Sequence, residues 1–120
     1  MDIQKALIIF DALSQETRLK VFRLLINAGP KGMAAGKLGC ELGVAHNTLS
    51  FHLKHLCKAK IIKCKKEGRF VIYSADFKAF REVIEFMVKD CCSPEYANIY
   101  DDKEKQCAVI ELSDLCLPEE

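Results

Sequence analysis

Cysteine is the residue of this sequence best suited to chemistry, and the chain has seven of them. Cys91 and Cys92 are adjacent, and Cys107 and Cys116 follow further along the chain. Neighbouring thiolates bind soft metals, and neighbouring thiols can also be oxidised by peroxide or disulfide stress. The pair therefore indicates either a thiolate metal site, completed by a further cysteine, or a redox-active dithiol.

The remaining cysteines do not form an obvious catalytic site. We expect Cys40, Cys57 and Cys64 to be small buried hydrophobic residues. The sequence has no Cys-x-x-Cys motif and no glycine-rich phosphate loop, and its three histidines all lie between residues 46 and 55. These features predict that the chain is not an enzyme.

A second group of residues is suited to binding DNA. Residues 46–54 carry side chains that can read base edges, and Asn47 in particular could pair with adenine in bidentate fashion. Thr48 and the nearby cations are candidates for phosphate contacts, which position a protein without specifying sequence. The full set of predicted DNA-binding residues is His46, Asn47, Thr48, Ser50, Phe51, Lys54, Lys65, Lys66 and Arg69.

The charge of the chain is divided in a way that the formal net charge of +1 conceals. Residues 1–90 contain 16 Lys and Arg against 9 Asp and Glu, which is +7, whereas residues 91–120 contain 2 against 8, which is −6. Seven of the cations lie between Lys54 and Arg69. A basic body with an acidic tail is typical of a nucleic-acid-binding protein.

Hydrophobic periodicity predicts the elements that position these residues. We expect helices over 3–13, from a cap at Ser14 to Gly29, over 34–42, 46–59 and 77–90, and a β-hairpin over 61–75 that turns at Gly68. This order is mainly α with a β-hairpin wing, the plan of a winged helix-turn-helix. We assign residues 1–92 to one DNA-binding and dimerisation domain and residues 93–120 to an acidic tail.

The apolar faces of the first and last helices are relevant to assembly. Ile3, Leu7 and Phe10 form a stripe on the first helix, which fits either a core helix or an interface helix. The last helix is apolar over so wide an arc that it should be buried on two sides. We therefore expect a homodimer that forms through these two helices.

In the second helix we expect Leu19 to point inward and Arg18 outward.

The segment from residue 42 to residue 75 resembles the ArsR family of metal-sensing and metalloid-sensing repressors. The matching residues are Ser50, His52, Leu53, Leu56, Gly68, Arg69 and Tyr73. With the flanking helices, the resemblance covers roughly residues 3–92. It implies a cytoplasmic homodimer that binds two-fold operator DNA and leaves it when an inducer binds. One departure is Ala45, where the family often has a Ser or Thr helix cap.

The resemblance also bears on the inducer. The family's cysteine site before the recognition helix is not matched at Ala34, Gly36 and Gly39, and the last helix lacks the histidines of the family's zinc site. The pair Cys91-Cys92 is similar to that of arsenite-responsive members, which implies As(III) or methylated As(III) as inducer and no permanent cofactor. We take Cys107 as the third ligand. Cys116 or a cysteine of the other subunit is the alternative third ligand. Antimonite, a soft divalent metal or a change of redox state is the alternative inducer.

The sequence shows neither a membrane span of about 20 apolar residues nor the pattern of a signal peptide at its start. We therefore expect a cytoplasmic protein that has no membrane partner, and whose thiols are reduced.

Overall fold

The computed structural model describes residues 1–89, which form five helices and a small antiparallel sheet with strand order β1-β3-β2. The predicted winged helix-turn-helix is confirmed. In chain order the elements are α1 (Ile3–Leu13), α2 (Glu16–Ala28), β1 (Met33–Ala34), α3 (Ala35–Leu42), α4 (His46–Lys58), β2 (Ile62–Glu67), β3 (Phe70–Ala75) and α5 (Phe77–Val88).

The start of α2 differs from the prediction in its capping residue. Gln15, not Ser14, caps the helix, and its side-chain oxygen accepts a hydrogen bond of 2.8 Å from the backbone N–H of Arg18. The Ser14 hydroxyl donates instead to the backbone carbonyl of Asp11 at 2.7 Å. Ser14 thus ends α1, and for that reason it is not available to begin α2.

Strand β1 was not predicted. Its two residues pair with β3, Met33 opposite Tyr73 and Ala34 opposite Ile72. Two residues are too few to show an alternating pattern in the sequence. The strand attaches the segment that precedes α3 to the hairpin, so the start of α3 is joined to the same sheet as the wing.

The core lies between α2, α3, α4 and the base of the sheet. Its largest fully buried side chains are leucines, isoleucine and valine: Leu25, Leu38, Leu49, Leu53, Leu56, Ile61 and Val21. The rings of Phe22 and Phe80 meet edge to face with centroids 5.2 Å apart, which attaches α5 to α2. The three leucines of α4 fill the core as their spacing predicts.

The face of α2 was predicted incorrectly at two positions. Leu19 is exposed, and Val21 is buried in its place. Arg18 is not directed outward, because its guanidinium Nε donates to the backbone carbonyl of Ala12 at 2.7 Å. Apolar residues three and four positions apart fit several neighbouring stripes on the surface of α2. The packing of α2 against α1 decides which of these stripes is buried.

The apolar stripe of α1 is not part of the core of this chain. Ala6, Ile9 and Ala12 are buried, whereas Ile3 and Leu7 are 61% and 53% exposed. The core-helix alternative is therefore wrong for this stripe. Ile8 and Phe10 on α1 and Met87 on α5 are exposed as well.

Helix α5 ends earlier than predicted, at Val88, and Lys89 has non-helical backbone angles (φ −54°, ψ 129°). The sequence pattern placed the end near Cys91 and Cys92. Cys91, Cys92, Cys107 and Cys116 lie outside the described residues, as does the predicted boundary between residues 92 and 93. Within residues 1–89, no helix is both long and apolar enough to cross a membrane.

Candidate nucleic-acid interface

Helices α3 and α4 are joined by a tight turn that fixes their relative orientation. Gly43 adopts the left-handed conformation (φ 64°) that this turn requires, and the Val44 N–H donates to the Gly39 carbonyl at 3.0 Å. Helix α4 begins directly after the turn, and Ala45 provides no side-chain cap, as the sequence predicted. The amide groups of the first turn are therefore left for another acceptor.

Helix α4 has two chemically distinct faces. Its core side consists of buried leucines, and its other side is polar and open to solvent. The positive end of the helix dipole is at the start of this open side, where it favours a phosphate. Between His46 and Lys54, the exposed residues are His46, Asn47, Thr48, Ser50, Phe51 and Lys54, all of which were predicted as DNA contacts.

The wing supplies the remaining predicted cations. Strands β2 and β3 pair from Ile62 to Glu67, and a two-residue turn at Gly68 and Arg69 connects them. Gly68 has the positive φ of 59° that the first position of a type II′ turn needs. Lys65, Lys66 and Arg69 are exposed, and the Lys65 ammonium lies 3.0 Å from the Glu67 carboxylate.

Two aromatic side chains on these elements are exposed to an unusual degree. Phe51 on α4 is 65% exposed and Phe70 at the start of β3 is 64% exposed. Apolar side chains can contact the thymine methyl group in the major groove. Phe70 was not among the predicted DNA-binding residues. Its position directly after the turn at Gly68 and Arg69 could have indicated that it is exposed at the tip of the wing.

The inner side of α4 is anchored to the first two helices by polar contacts. His52 is buried, and its Nδ1 lies 3.4 Å from Nη1 of Arg18. His55 Nε2 lies 3.6 Å from the Asp11 carboxylate on α1. Burial lowers the pKa of His52, and the positive charges of Arg18 and His55 lower it further. His52 is thus a packing residue and not a base-reading residue.

The cysteines of the described residues are placed differently from the prediction. Cys40 and Cys64 are exposed and Cys57 is partly buried, so the expectation of three buried residues is wrong for the first two. Cys64 lies on a strand at the edge of the sheet, where alternation alone does not guarantee burial. Residues 1–89 contain no group of three or more His, Cys, Asp or Glu side chains that could hold a metal ion.

Comparison with known proteins agrees with this geometry. A family model described as a helix-turn-helix domain matches residues 13–65. An uncharacterised HTH-type transcriptional regulator of Methanocaldococcus jannaschii is 36% identical over 84 residues, which is 70% of this chain and 92% of that protein. A cadmium resistance transcriptional regulatory protein CadC homolog of Staphylococcus aureus is 34% identical over 85 residues, 71% of this chain and 66% of that protein.

Solved structures show the same fold. An ArsR-like transcriptional regulator from Rhodococcus sp. RHA1 superposes with a TM-score of 0.66 at 20% identity, over 86% of this chain and 94% of that one. The homodimeric winged helix-turn-helix domain of Mb0332 from Mycobacterium bovis superposes with a TM-score of 0.60 at 18% identity, over 83% and 88%. The relatives are transcriptional regulators, which confirms the expectation of a protein that is not an enzyme. The chain belongs to the HTH-type transcriptional regulators, and its fold is the winged helix-turn-helix of their ArsR-like members.

Proposed function

We propose that this chain is a homodimeric repressor that binds double-stranded operator DNA and is released by a thiophilic inducer. The observation that carries the proposal is the division of α4 into a leucine face in the core and an exposed face of polar side chains. In helix-turn-helix proteins such a face enters the major groove, and its N-terminal residues meet the base edges. The cationic wing would then lie along the phosphate backbone.

The apolar surface of α1 supports the dimer. Ile3, Leu7 and Ile8 are each more than half exposed, and Met87 of α5 is 60% exposed. Apolar side chains clustered on neighbouring helices favour burial against another protein surface. The solved Mycobacterium bovis relative is described as homodimeric. A dimer with two-fold symmetry would present two copies of α4 to a two-fold operator.

The proposed inducer site is Cys91, Cys92 and Cys107, with Cys116 or a cysteine of the partner subunit as alternative third ligand. Trivalent arsenic is soft and prefers thiolates. Three thiolates satisfy inorganic arsenite, and two satisfy a methylated form. No permanent cofactor is required for DNA binding in this scheme.

Release requires that the inducer bind the DNA-free arrangement more tightly, because a ligand with equal affinity for both states shifts neither. The contacts of α4 with the first two helices provide a route for such a shift. Asp11 of α1 reaches His55 of α4, and Arg18 of α2 reaches His52. A change in how the dimer helices pack would therefore change the separation of the two α4 helices.

A divalent soft metal is a second candidate inducer, because the Staphylococcus aureus relative is described as a cadmium resistance regulatory protein. Thiolates bind cadmium by the same preference of soft ligands for soft metals. Oxidation of Cys91 and Cys92 is the redox alternative, and it predicts release by peroxide in the absence of any metal.

The test is a fluorescence anisotropy titration of the protein on a duplex selected from a random DNA pool. Arsenite, methylarsenite, cadmium and peroxide are added separately to the wild type, to a Cys91→Ser/Cys92→Ser variant and to Cys107→Ser. Arsenite should release the wild type but not the double variant, and it should depend on Cys107 more than methylarsenite does. Cys40→Ser, which removes an exposed thiol of α3, is the control that should still be released. Normal release of the double variant would place the inducer elsewhere.

A further inference from the structure

A cavity of about 480 Å³ lies where α1, the end of α4 and the start of α5 meet. Sites for small organic molecules commonly have volumes of about 300 to 1,000 Å³. Backbone hydrogen bonds fix two edges of the cavity: the Lys60 N–H donates to the Cys57 carbonyl at 3.0 Å, and the Asp76 N–H donates to the Ile61 carbonyl at 2.9 Å. None of the lining residues is among the predicted DNA contacts, so the cavity is separate from the exposed face of α4.

Part of the cavity lining is apolar. Ile9 of α1 and Ala59 at the end of α4 are buried, and Ala79 of α5 is partly buried. Ile8 completes this apolar lining and is 55% exposed. Hydrocarbon placed against these side chains would be removed from water, which is favourable. A ligand of this cavity should therefore have an apolar body.

The rest of the lining is mainly basic. Exposed lysines from three helices and from the turn after α4 border the cavity: Lys5, Lys58, Lys60 and Lys78. None of their ammonium groups forms an ion pair within residues 1–89. Like charges that surround one cavity repel each other, so an anion bound in the cavity would reduce this repulsion.

Helix electrostatics do not account for two of these lysines. Lys5 is in the first turn of α1, and Lys78 is in the first turn of α5. The positive end of a helix dipole is at its start, so a cation at either position is unfavourable. Lys58, by contrast, is in the last turn of α4, where its charge offsets the negative end of the dipole. A bound anion would stabilise the two lysines at the helix starts.

The acidic residues of the lining do not make the cavity a cation site. The lining contains Asp76 and Glu82 against four lysines, so its formal charge is +2. The Asp76 carboxylate caps α5, where it accepts a hydrogen bond of 3.0 Å from the Ala79 N–H. The absence of a metal-binding group of His, Cys, Asp or Glu side chains from residues 1–89 includes this cavity. The charge balance therefore favours an anion.

We propose that this cavity binds a small organic acid, a carboxylate with an alkyl or aryl body. The hydrocarbon would lie against Ile9, Ala59 and Ala79. The carboxylate would accept hydrogen bonds from the lysine ammonium groups, which are stronger than hydrogen bonds between neutral groups. Such a ligand would contact α4 and both helices of the proposed dimer interface at once. The inference does not rest on the proposed cysteine site or on operator binding.

Octanoate is the probe, titrated into the full-length protein with ¹³C-labelled methyl groups on isoleucine and alanine. The methyl signals of Ile8, Ile9, Ala59 and Ala79 should shift and saturate in NMR spectra. Acetate has the charge without the apolar body, and octylamine has the body with the opposite charge. Neither should produce these shifts at the same concentrations. No saturable shift of these signals, or equal affinity for octylamine, would overturn the proposal.

Paired variants test the role of the lysines. Lys58→Gln/Lys78→Gln should bind octanoate at least about tenfold more weakly, the effect of losing one hydrogen bond to a charged group. Lys58→Arg/Lys78→Arg keeps both charges and should bind like the wild type. The spectra of the unliganded variants establish that they fold alike.

Lys31→Gln/Lys37→Gln is the matched control, because it removes two exposed lysines that do not line the cavity. It has the same net charge as Lys58→Gln/Lys78→Gln and should bind octanoate like the wild type. Equal weakening in the two glutamine variants would show that the net charge of the chain attracts the acid, and it would overturn the cavity as the site.

Discussion

Arg18 of α2 and His52 of α4 are linked across the interior of the reading unit, with Nη1 of the arginine 3.4 Å from Nδ1 of the histidine. The same guanidinium donates through Nε to the Ala12 carbonyl at the end of α1. Arginine is only a donor, so Nδ1 accepts and the ring proton is on Nε2. One side chain thus joins α1, α2 and α4.

Arg18→Met should destabilise the fold. The substitution keeps most of the aliphatic stem but removes the donors to Ala12 and His52, at a cost of about 1 to 3 kcal/mol in the free energy of unfolding. Urea denaturation followed by circular dichroism measures the change. Arg23→Met, on the exposed side of the same helix, should change stability by less than about 0.5 kcal/mol. Equal effects of the two substitutions would show that the Arg18 contacts contribute nothing.

Stability should fall as the pH is lowered through the range in which His52 titrates. The pKa of His52 is lowered in the folded chain, so the unfolded chain takes up its proton first. Neutral His52 contributes its full stabilisation above the pKa of the unfolded chain, about 6.5. This contribution is lost as the pH falls toward the lower pKa of the folded chain. Urea midpoints from about pH 7.5 to pH 5 measure this slope.

His52→Gln should be less stable at neutral pH but should show a flatter slope, because the group that titrates is gone. His46→Gln, which removes an exposed histidine of the same helix, should keep the slope of the wild type. A wild-type slope in His52→Gln would mean that another group causes the loss.

Gly32→Ala should be strongly destabilising. Gly32 has a φ of +72°, and an added Cβ would overlap the Tyr73 carbonyl oxygen, because β1 pairs with β3 directly after this glycine. The left-handed strain and the overlap together should cost about 2 to 5 kcal/mol. Gly29→Ala is a matched control, since Gly29 has a φ of +78° and open space at its Cβ. Gly29→Ala should lose only the stability that a positive φ costs a residue with a Cβ. Equal losses of thermal stability in the two variants would show that the Tyr73 carbonyl oxygen does not obstruct a Cβ at residue 32.

Leu7→Glu should produce monomers. Leu7 is 53% exposed on α1, and a carboxylate buried in the proposed interface would lose its hydration without a partner. Sedimentation velocity measures the mass of the complex. Phe70→Glu adds the same charge at an apolar wing residue that is even more exposed, and it should remain dimeric. A Leu7→Glu dimer as stable as the wild type would exclude this face of α1 from the interface.

How far the sequence predicts this fold depends on how local each signal is. The five helices and the hairpin were predicted because their periods extend over eight or more residues or end at a glycine turn such as Gly68. The exposed face of α4 was predicted as well, since Leu49, Leu53 and Leu56 fix which side is buried. Strand β1 and the exposure of Leu19 depend on contacts with distant segments, which no local pattern encodes.

The cysteines and the polar contacts of α4 illustrate the same limit. The sequence pattern suggested burial for Cys64, which the structure leaves exposed at the edge of the sheet. The contact of Arg18 with His52 spans 34 positions along the chain. Cys91 and Cys92 were selected by their adjacency and by family resemblance, and their role remains a proposal that the arsenite experiment tests.

Lys66→Ala should weaken DNA binding in a salt-dependent manner. Lys66 is exposed on β2 and makes no ion pair within residues 1–89, so its charge is available to a phosphate. Each phosphate contact contributes about 0.9 to the slope of log affinity against log salt concentration, so two wings of a dimer should contribute about 2. Anisotropy titrations on a non-specific duplex at several salt concentrations measure the slope.

Lys20→Ala is the control, because the Lys20 ammonium on α2 lies 3.2 Å from the Glu16 carboxylate and its charge is already balanced. Its slope should equal that of the wild type. Lys65 lies beside Glu67 in the same way, so Lys65→Ala should fall between the two. An unchanged slope in Lys66→Ala would mean that the wing does not lie along the phosphates. In that case the exposed face of α4 would carry the DNA contacts without the wing.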